Sequence, residues 1–553
     1  MPSWKGVRPT SANSRGGLER DGRIAGRDAT QMSDLQRPLN PEADKIFFAM
    51  GQAGLTFSQV NRLVSATCAT ILKRAALAPG DKVAILMPKP PSFALALLAL
   101  MRMRVVSVPL NTRLKPRELA WQVKNAECRL ILCEPETLAL TSEMDADVFK
   151  LPAASLRDPV SEFADYGAMK FNDDFAIIHT SGTSGRPKAA VLTHGNIYHS
   201  ALASALKLER PRDERWLCVL PLYHVGGLSI ILRSLIYGSA VEFGPSAPFD
   251  VQETNRVLSE NPITLVSLVP TILQRLLQAK TEPWNRHLRL ILLGGEAPAP
   301  ELVARCIAER LPIATTYGLT EAASQVATAL PDLVYKKPGS VGKPLMTATV
   351  RIIDENGVDA APGVPGEVLI KGGSVMRGYY GDPDASHAAI RAGWLHTGDI
   401  GYFDEDGDLF ILQRREDLIV SGGENVYPAE VERVLRSHPD VAEAVVFGIP
   451  DAEWGQGVAA VIERCVGASV DGAVSAVGLG GQCRRGSVHV PLHDPGEPTP
   501  PSSEAIMKYA RERLAGYKVP RRVVFVDALP RSAAGKIQRR EARRLFDDAI
   551  SSG

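Results

Sequence analysis

The sequence predicts an α/β protein: a large N-terminal body of several subdomains with mostly parallel sheets, followed by a small α+β C-terminal domain. Three observations carry that expectation. The chain has 553 residues, and single hydrophobic cores stop growing beyond roughly 250–300. From Leu55 onward short apolar runs alternate with helical patterns, the βαβ rhythm of parallel sheets. Past Arg414 that rhythm gives way to a shorter mixture of helices and strands.

In order, Thr56–Leu77 reads as an amphipathic helix and Lys82–Met87 as a buried strand. Ser92–Met103 reads as a helix and Val105–Pro109 as a strand. Pro116–Asn125 is a helix with proline in its first turn, where the missing N–H costs nothing, and Leu130–Cys133 is the next strand. The rhythm returns at Arg215–Leu220, Thr264–Leu268 and Leu288–Leu293, each followed by a helical segment. In the last part, Glu430–Ser437, Val441–Gly448, Glu504–Leu514 and Arg522–Val526 are the candidate elements. Between them, 466–503 is rich in Gly, Ser, Val and Pro and is expected to be a flexible insertion. Residues 1–31 are rich in Arg, Gly and Ser without an apolar stretch; a disordered extension is expected there, with the body over 32–413 and the second domain over 414–553.

Composition narrows the function classes. Hydrophobic residues at 45% and charged residues at 23% match a soluble globular chain. Lys+Arg 63 against Asp+Glu 62 leaves +1, so no global field attracts nucleic acid or an anionic surface. The longest apolar run, Phe93–Met101, is far below the roughly 20 residues of a spanning helix. Seven scattered cysteines without metal-ligand spacing point to a reduced, cytoplasmic chain.

The sharpest local signal is Thr180, Ser181, Gly182, Thr183, Ser184, Gly185, Arg186, Pro187 and Lys188, set between the strand candidates Phe175–His179 and Ala190–Thr193. Glycines free the backbone to turn N–H groups toward an anion, the hydroxyls donate to phosphate oxygens, and Lys188 supplies a cation. It is not a Walker A loop, because Pro187 precedes the lysine and a strand follows. A plain hairpin tip is the alternative on spacing alone.

This segment resembles the phosphate loop of the adenylate-forming superfamily, which comprises acyl- and aryl-CoA synthetases, peptide-synthetase adenylation domains and luciferases. Ala189 stands where that family usually has glycine. Further blocks follow in the family's order. Leu220–His224 (LPLYH) resembles the block whose histidine lines the acyl pocket. Gly294, Gly295, Glu296, Ala297 and Pro298 resemble the turn that packs on adenine. Thr316–Glu321 (TYGLTE) resembles the block in which Tyr317 would stack on adenine beside Gly318, Thr320 would touch phosphate and Glu321 would hold Mg²⁺. In Trp394–Asp399 the aspartate would accept the ribose hydroxyls, with Arg414 on the same sugar. Taken singly, Asp399 could cap a turn, Glu321 could begin a solvated helix, and His224 could be a core histidine.

The resemblance also implies a mobile second domain. Arg414–Asp417 resembles the family hinge with Glu416 at the pivot, although Gln413 replaces its usual glycine. Ser421, Gly422, Gly423 and Glu424 begin a loop expected to face the thiol tunnel, and Lys536 matches the adenylation lysine. Without the family, Lys536 would be one more charge of a basic tail. The implied chemistry is attack of a carboxylate on the α-phosphorus of ATP, then transfer of the acyl group to coenzyme A after domain rotation. ATP, Mg²⁺ and coenzyme A, the last as substrate, are the implied small molecules.

Within the superfamily, Pro109–Leu114, Leu220–Ser229, Thr316–Thr328, Gly339–Leu345 and Ser421–Pro428 resemble the o-succinylbenzoate–CoA ligases of menaquinone synthesis. In that family His224, Gly227, Ser324 and Gln325 would line the pocket of the aromatic diacid. Fatty or aryl acyl-CoA synthetases, a stand-alone enzyme loading a carrier protein, and a non-catalytic nucleotide-binding relative are the alternatives. Oligomeric state, monomer or homodimer, is left open by the sequence.

Overall fold

The computed structural model describes residues 43–51, 53–153, 169–180, 187–209, 211, 213–244, 249–295, 297–413, 419–464, 502–530 and 537–551. The expectations for 1–31 and for most of 466–503 lie outside those residues.

Two sheets of the body are largely parallel, as the apolar rhythm predicts. A seven-stranded sheet has Lys82–Leu86 between Val106–Pro109 and Leu130–Cys133, all parallel. Its strands bury both faces: Val83 and Ile85 enter one cluster, Ala84 and Leu86 another. At its far side Asp174–Thr180 and Lys188–Thr193 pair antiparallel, so the predicted phosphate loop leaves the end of one strand and returns on the next. An eight-stranded sheet sets Arg215–Cys218, Leu265–Leu268, Leu290–Leu293 and Ile313–Leu319 parallel, then turns back antiparallel through Ser324–Ala329.

Helix boundaries follow local chemistry more than apolar content. The first described helix is Phe57–Arg74 because Thr56 caps it, accepting from the Gln59 N–H while the Gln59 side chain returns to Thr56 N. The helix expected at Ser92 begins two residues earlier, at Pro90, since proline suits the first turn.

A third sheet, wholly antiparallel, was not anticipated: Ala348–Ile353, Gly366–Gly372, Trp394–Phe403, Leu409–Gln413 and Ser340–Gly342. Its signal was present in alternating runs such as ATVRII, separated by the Gly357 and Gly407 turns at positive φ. This sheet carries Asp399 and packs Val350, Val368 and Leu395 into the body core.

The C-terminal unit is α+β. Gly455–Arg464 lies between Val441–Asp451, antiparallel, and Arg522–Val526, parallel. A hairpin, Ile419–Ser421 with Glu424–Val426, extends the sheet toward the body. Among the described residues no helix is long and apolar enough to cross a membrane.

Candidate active site

A cleft of about 830 Å³ opens where the two parallel sheets, the antiparallel sheet and the C-terminal hairpin meet. One end of it is built by strand termini. Ile313–Leu319 delivers Thr316 and Gly318 to the wall and then breaks into a short 3₁₀ turn, Thr320–Ala322. Ala323 at φ 50° and Ser324 at φ 98° end that turn, conformations that cost of order 1–3 kcal/mol for a residue with a side chain. Gly318 is required beside them, because a Cβ there would collide with the Ser324 carbonyl.

This turn holds Glu321 buried at the cleft wall, where its Oε1 accepts the Tyr379 hydroxyl at 3.0 Å. A buried, oriented carboxylate oxygen is the donor a hard divalent cation takes. The Lys188 ammonium lies 5.0 Å above the same Tyr379 ring, so one tyrosine connects the start of strand Lys188–Thr193 to Glu321.

Asp399 also lines the cleft, anchored by its N–H to Thr397 Oγ1 at 3.0 Å and by the Tyr317 hydroxyl, which donates to its Oδ2 at 2.6 Å. The Tyr317 ring is only 2% exposed and lies beneath the wall. Its hydroxyl therefore holds the aspartate.

At the opposite end, helix Val225–Tyr237 starts at His224 and presents Gly226, Ser229 and Arg233 to the cleft. Those positions lie three and four residues apart, one face of a helix. A Cβ at Gly227 would strike the Pro221 carbonyl, so the helix start can press against the preceding turn only with glycine there. Arg233 is 2% exposed; its Nη2 donates to Ser200 Oγ at 3.2 Å, and its Nε has no partner among the described residues. No carboxylate pairs with it there, and burial lowers its pKa. Sequence reasoning missed this residue, although a lone arginine interrupts an otherwise uncharged helix.

The C-terminal hairpin closes the third side. Glu424, 2% exposed, accepts from His224 Nε2 at 2.9 Å, Tyr223 Oη at 3.0 Å, Arg113 Nη1 at 3.1 Å and Asn111 Nδ2 at 3.1 Å. Burial alone would raise its pKa, but His224, Arg113 and the Tyr223 hydroxyl outweigh that and hold the carboxyl down at about 2. Gly422 and Gly423, both at positive φ, let the hairpin turn beside the cleft against Trp454 and Val269. Arg113 lies 4.9 Å over Tyr517 and 5.8 Å from Trp454, two aromatic rings of the second unit.

Of the residues singled out from sequence, Thr180, His224, Gly227, Gly295, Gly318, Thr320, Glu321, Ser324, Gln325, Asp399, Gly422, Gly423 and Glu424 meet at this one cleft. Gln325 has its amide engaged by Ser204 and Thr328. Ala297 is exposed and off the wall, and Ser421 is buried behind it. Residues 181–185, Glu296, Arg414, Glu416 and Lys536 lie outside the described residues.

Fold and cleft together define a nucleotide-dependent, acid-activating enzyme. The chain belongs to the AMP-binding enzyme family: that family's model matches residues 35–380, and the model of its C-terminal domain matches 430–471 and 473–536. A 2-succinylbenzoate–CoA ligase of Bacillus cereus is 37% identical over 511 residues, 91% of this chain and 96% of the relative. Among solved structures, a double mutant of o-succinylbenzoate CoA synthetase from Bacillus subtilis with its product analogue OSB-NCoA superposes with a TM-score of 0.82, at 32% identity over 92% of this chain and 98% of that one. The same enzyme with the acyl-adenylate intermediate OSB-AMP is also 32% identical, over 92% and 97% of the two chains, but its TM-score is 0.65. The arrangement of this chain is thus nearer to the product-analogue complex.

Proposed function

We propose that the protein joins o-succinylbenzoate to coenzyme A through an acyl-adenylate, a step of menaquinone synthesis carried out in the cytoplasm. The observation that carries the choice of acid is Arg233: a buried cation in the cleft with no carboxylate partner among the described residues. A monoacid leaves that cation unanswered. A diacid that sends one carboxylate toward ATP has a second to place on the guanidinium, a charge-assisted pairing. The 2-succinylbenzoate–CoA ligase relative, covered along nearly its whole length, supports the same reading.

In the first half-reaction a carboxylate oxygen attacks the α-phosphorus and pyrophosphate leaves. Two anions must meet, so the site supplies positive charge and alignment. Lys188, the 180–185 loop and Lys536 fill that role in this reading. Glu321 is suited to hold Mg²⁺, which would neutralise pyrophosphate oxygens, and Tyr379 fixes the orientation of that carboxylate. Asp399, held by Tyr317, accepts the ribose hydroxyls. In the second half-reaction the thiol sulfur of coenzyme A attacks the acyl carbonyl and AMP leaves, with the 421–424 hairpin seated as in this structure. Glu416 would be the pivot between the two arrangements.

The test is kcat/KM for o-succinylbenzoate, benzoate, octanoate and palmitate with ATP, Mg²⁺ and coenzyme A. The reading expects strong preference for o-succinylbenzoate; equal or better turnover of a monoacid would refute the assignment of the acid.

A further inference from the structure

Lys518 borders a small side pocket that it shares with His224, Thr320 and Glu424. It lies in the C-terminal unit, is 4% exposed, and does not line the large cleft. Its Nζ is 2.8 Å from Glu430 Oε1 of its own unit and 2.8 Å from Glu118 Oε1 of the body, 400 residues away in sequence. A buried ammonium is costly unless both charge and hydrogen bonds are answered. Burial alone would lower its pKa, yet Glu430 and Glu118 together raise it above the ordinary lysine value, so the cation persists at neutral pH.

We infer that Lys518 is a positioning residue for the thioester-forming step: an ionic strap that seats the C-terminal unit on the body through Glu118. The inference rests on the acid–thiol ligase reading above. The two limbs of the strap are not equivalent. The limb to Glu430 is internal to the unit and survives any rigid movement of it. The limb to Glu118 exists only while the units are docked. On separation both groups regain water, so the strap is reversible where an apolar contact of the same size would resist opening.

The strap adjoins the Glu424 cluster through Tyr517, whose hydroxyl oxygen lies 3.5 Å from Asn111 Nδ2 and whose ring faces Arg113. Seating Lys518 thus places Tyr517 beside Arg113 and brings the hairpin to the cleft. Glu118 has a second task, since its Oε2 accepts the Lys115 N–H at the start of helix Pro116–Asn125. Glutamine at 118 can keep its carbonyl oxygen on that N–H, but its NH2 then faces the Lys518 ammonium, so the limb loses both its charge and its acceptor.

The experiment uses the full chain with Glu118→Gln, Glu430→Gln and Lys518→Arg. Three readouts are taken: pyrophosphate release without coenzyme A, thioester formation from preformed acyl-adenylate, and the distance distribution between spin labels on the two units. With Glu118→Gln, pyrophosphate release should stay within about twofold of the parent. Thioester formation should fall by about tenfold or more, and the docked distance should lose population. Lys518→Arg should keep most of both. Glu430→Gln should lower the stability of the unit without the selective loss of the second step. An unchanged distance distribution and unchanged thioester formation in Glu118→Gln would overturn the strap, as would equal loss in both half-reactions. Absence of turnover in the parent protein would instead remove the ligase reading, while the distance distributions would still decide whether Glu118 and Lys518 hold the units together.

Discussion

Replacing Arg233 by methionine removes the cation proposed to read the second carboxylate while roughly conserving the buried volume. Among the described residues the guanidinium makes one hydrogen bond, to Ser200 Oγ at 3.2 Å, and leaves Nε unanswered. It therefore costs folding free energy, and Tm of Arg233→Met should hold or rise. With the diacid bound the balance reverses. A hydrogen bond to a charged group contributes about 1.5–3 kcal/mol. Stranding the buried partner carboxylate costs about 3–5 kcal/mol. At about 1.4 kcal/mol per factor of ten, kcat/KM for o-succinylbenzoate should fall roughly 100- to 4,000-fold. Benzoate, lacking the distal carboxylate, should change by less than about threefold. The assay is AMP release against acid concentration for both substrates. Parallel losses on both acids, or no loss on the diacid, would refute the pairing.

Other expectations follow from particular contacts. Tyr317→Phe leaves Asp399 one donor short, about 1 kcal/mol, so nucleotide affinity measured by titration calorimetry should weaken severalfold with little change in KM for the acid. Glu424→Ala leaves His224, Arg113 and Tyr223 without their shared acceptor, and rapid-quench assays should show slower thioester formation with adenylation retained. The Glu424 carboxyl is depressed from 4.5 to about 2, so its stabilisation is fully present above pH 4.5 and is lost only as pH falls toward about 2; a pH series of the inter-unit distance should show no loss of docking from this group above pH 4.5. Lys536→Ala should abolish adenylation and spare thioester formation from supplied acyl-adenylate, a split that the two half-reaction assays read directly.

That Gly294, Gly295, Gly318, Glu321 and Asp399 would meet at one cleft was legible in sequence because these residues fall in contiguous blocks. Glycines at 294, 295 and 318 and the acid of TYGLTE are fixed by local backbone geometry, which a short motif can encode. The alternating parallel elements were legible for a similar reason, since strands buried on both faces are uninterrupted apolar runs. What remained hidden depends on distant pairing. Arg113 finds Glu424 across 311 positions and Lys518 finds Glu118 across 400; nothing local distinguishes that lysine in GYKVPRR. Tyr317 likewise reaches Asp399 across 82 positions, so the motif that supplies the tyrosine does not reveal its partner on the antiparallel sheet. That sheet went unread for lack of long apolar runs.

Acid activation through an adenylate is the central claim, and a two-step trap tests it most directly. The protein is mixed with o-succinylbenzoate and Mg²⁺–ATP without coenzyme A, quenched, and analysed for o-succinylbenzoyl-AMP and pyrophosphate; coenzyme A is then added to a parallel sample. The expected result is one equivalent of pyrophosphate per adenylate formed, followed by conversion of that adenylate into o-succinylbenzoyl-CoA and AMP. Thioester formed with ADP and phosphate, or adenylate that coenzyme A fails to consume, would contradict it.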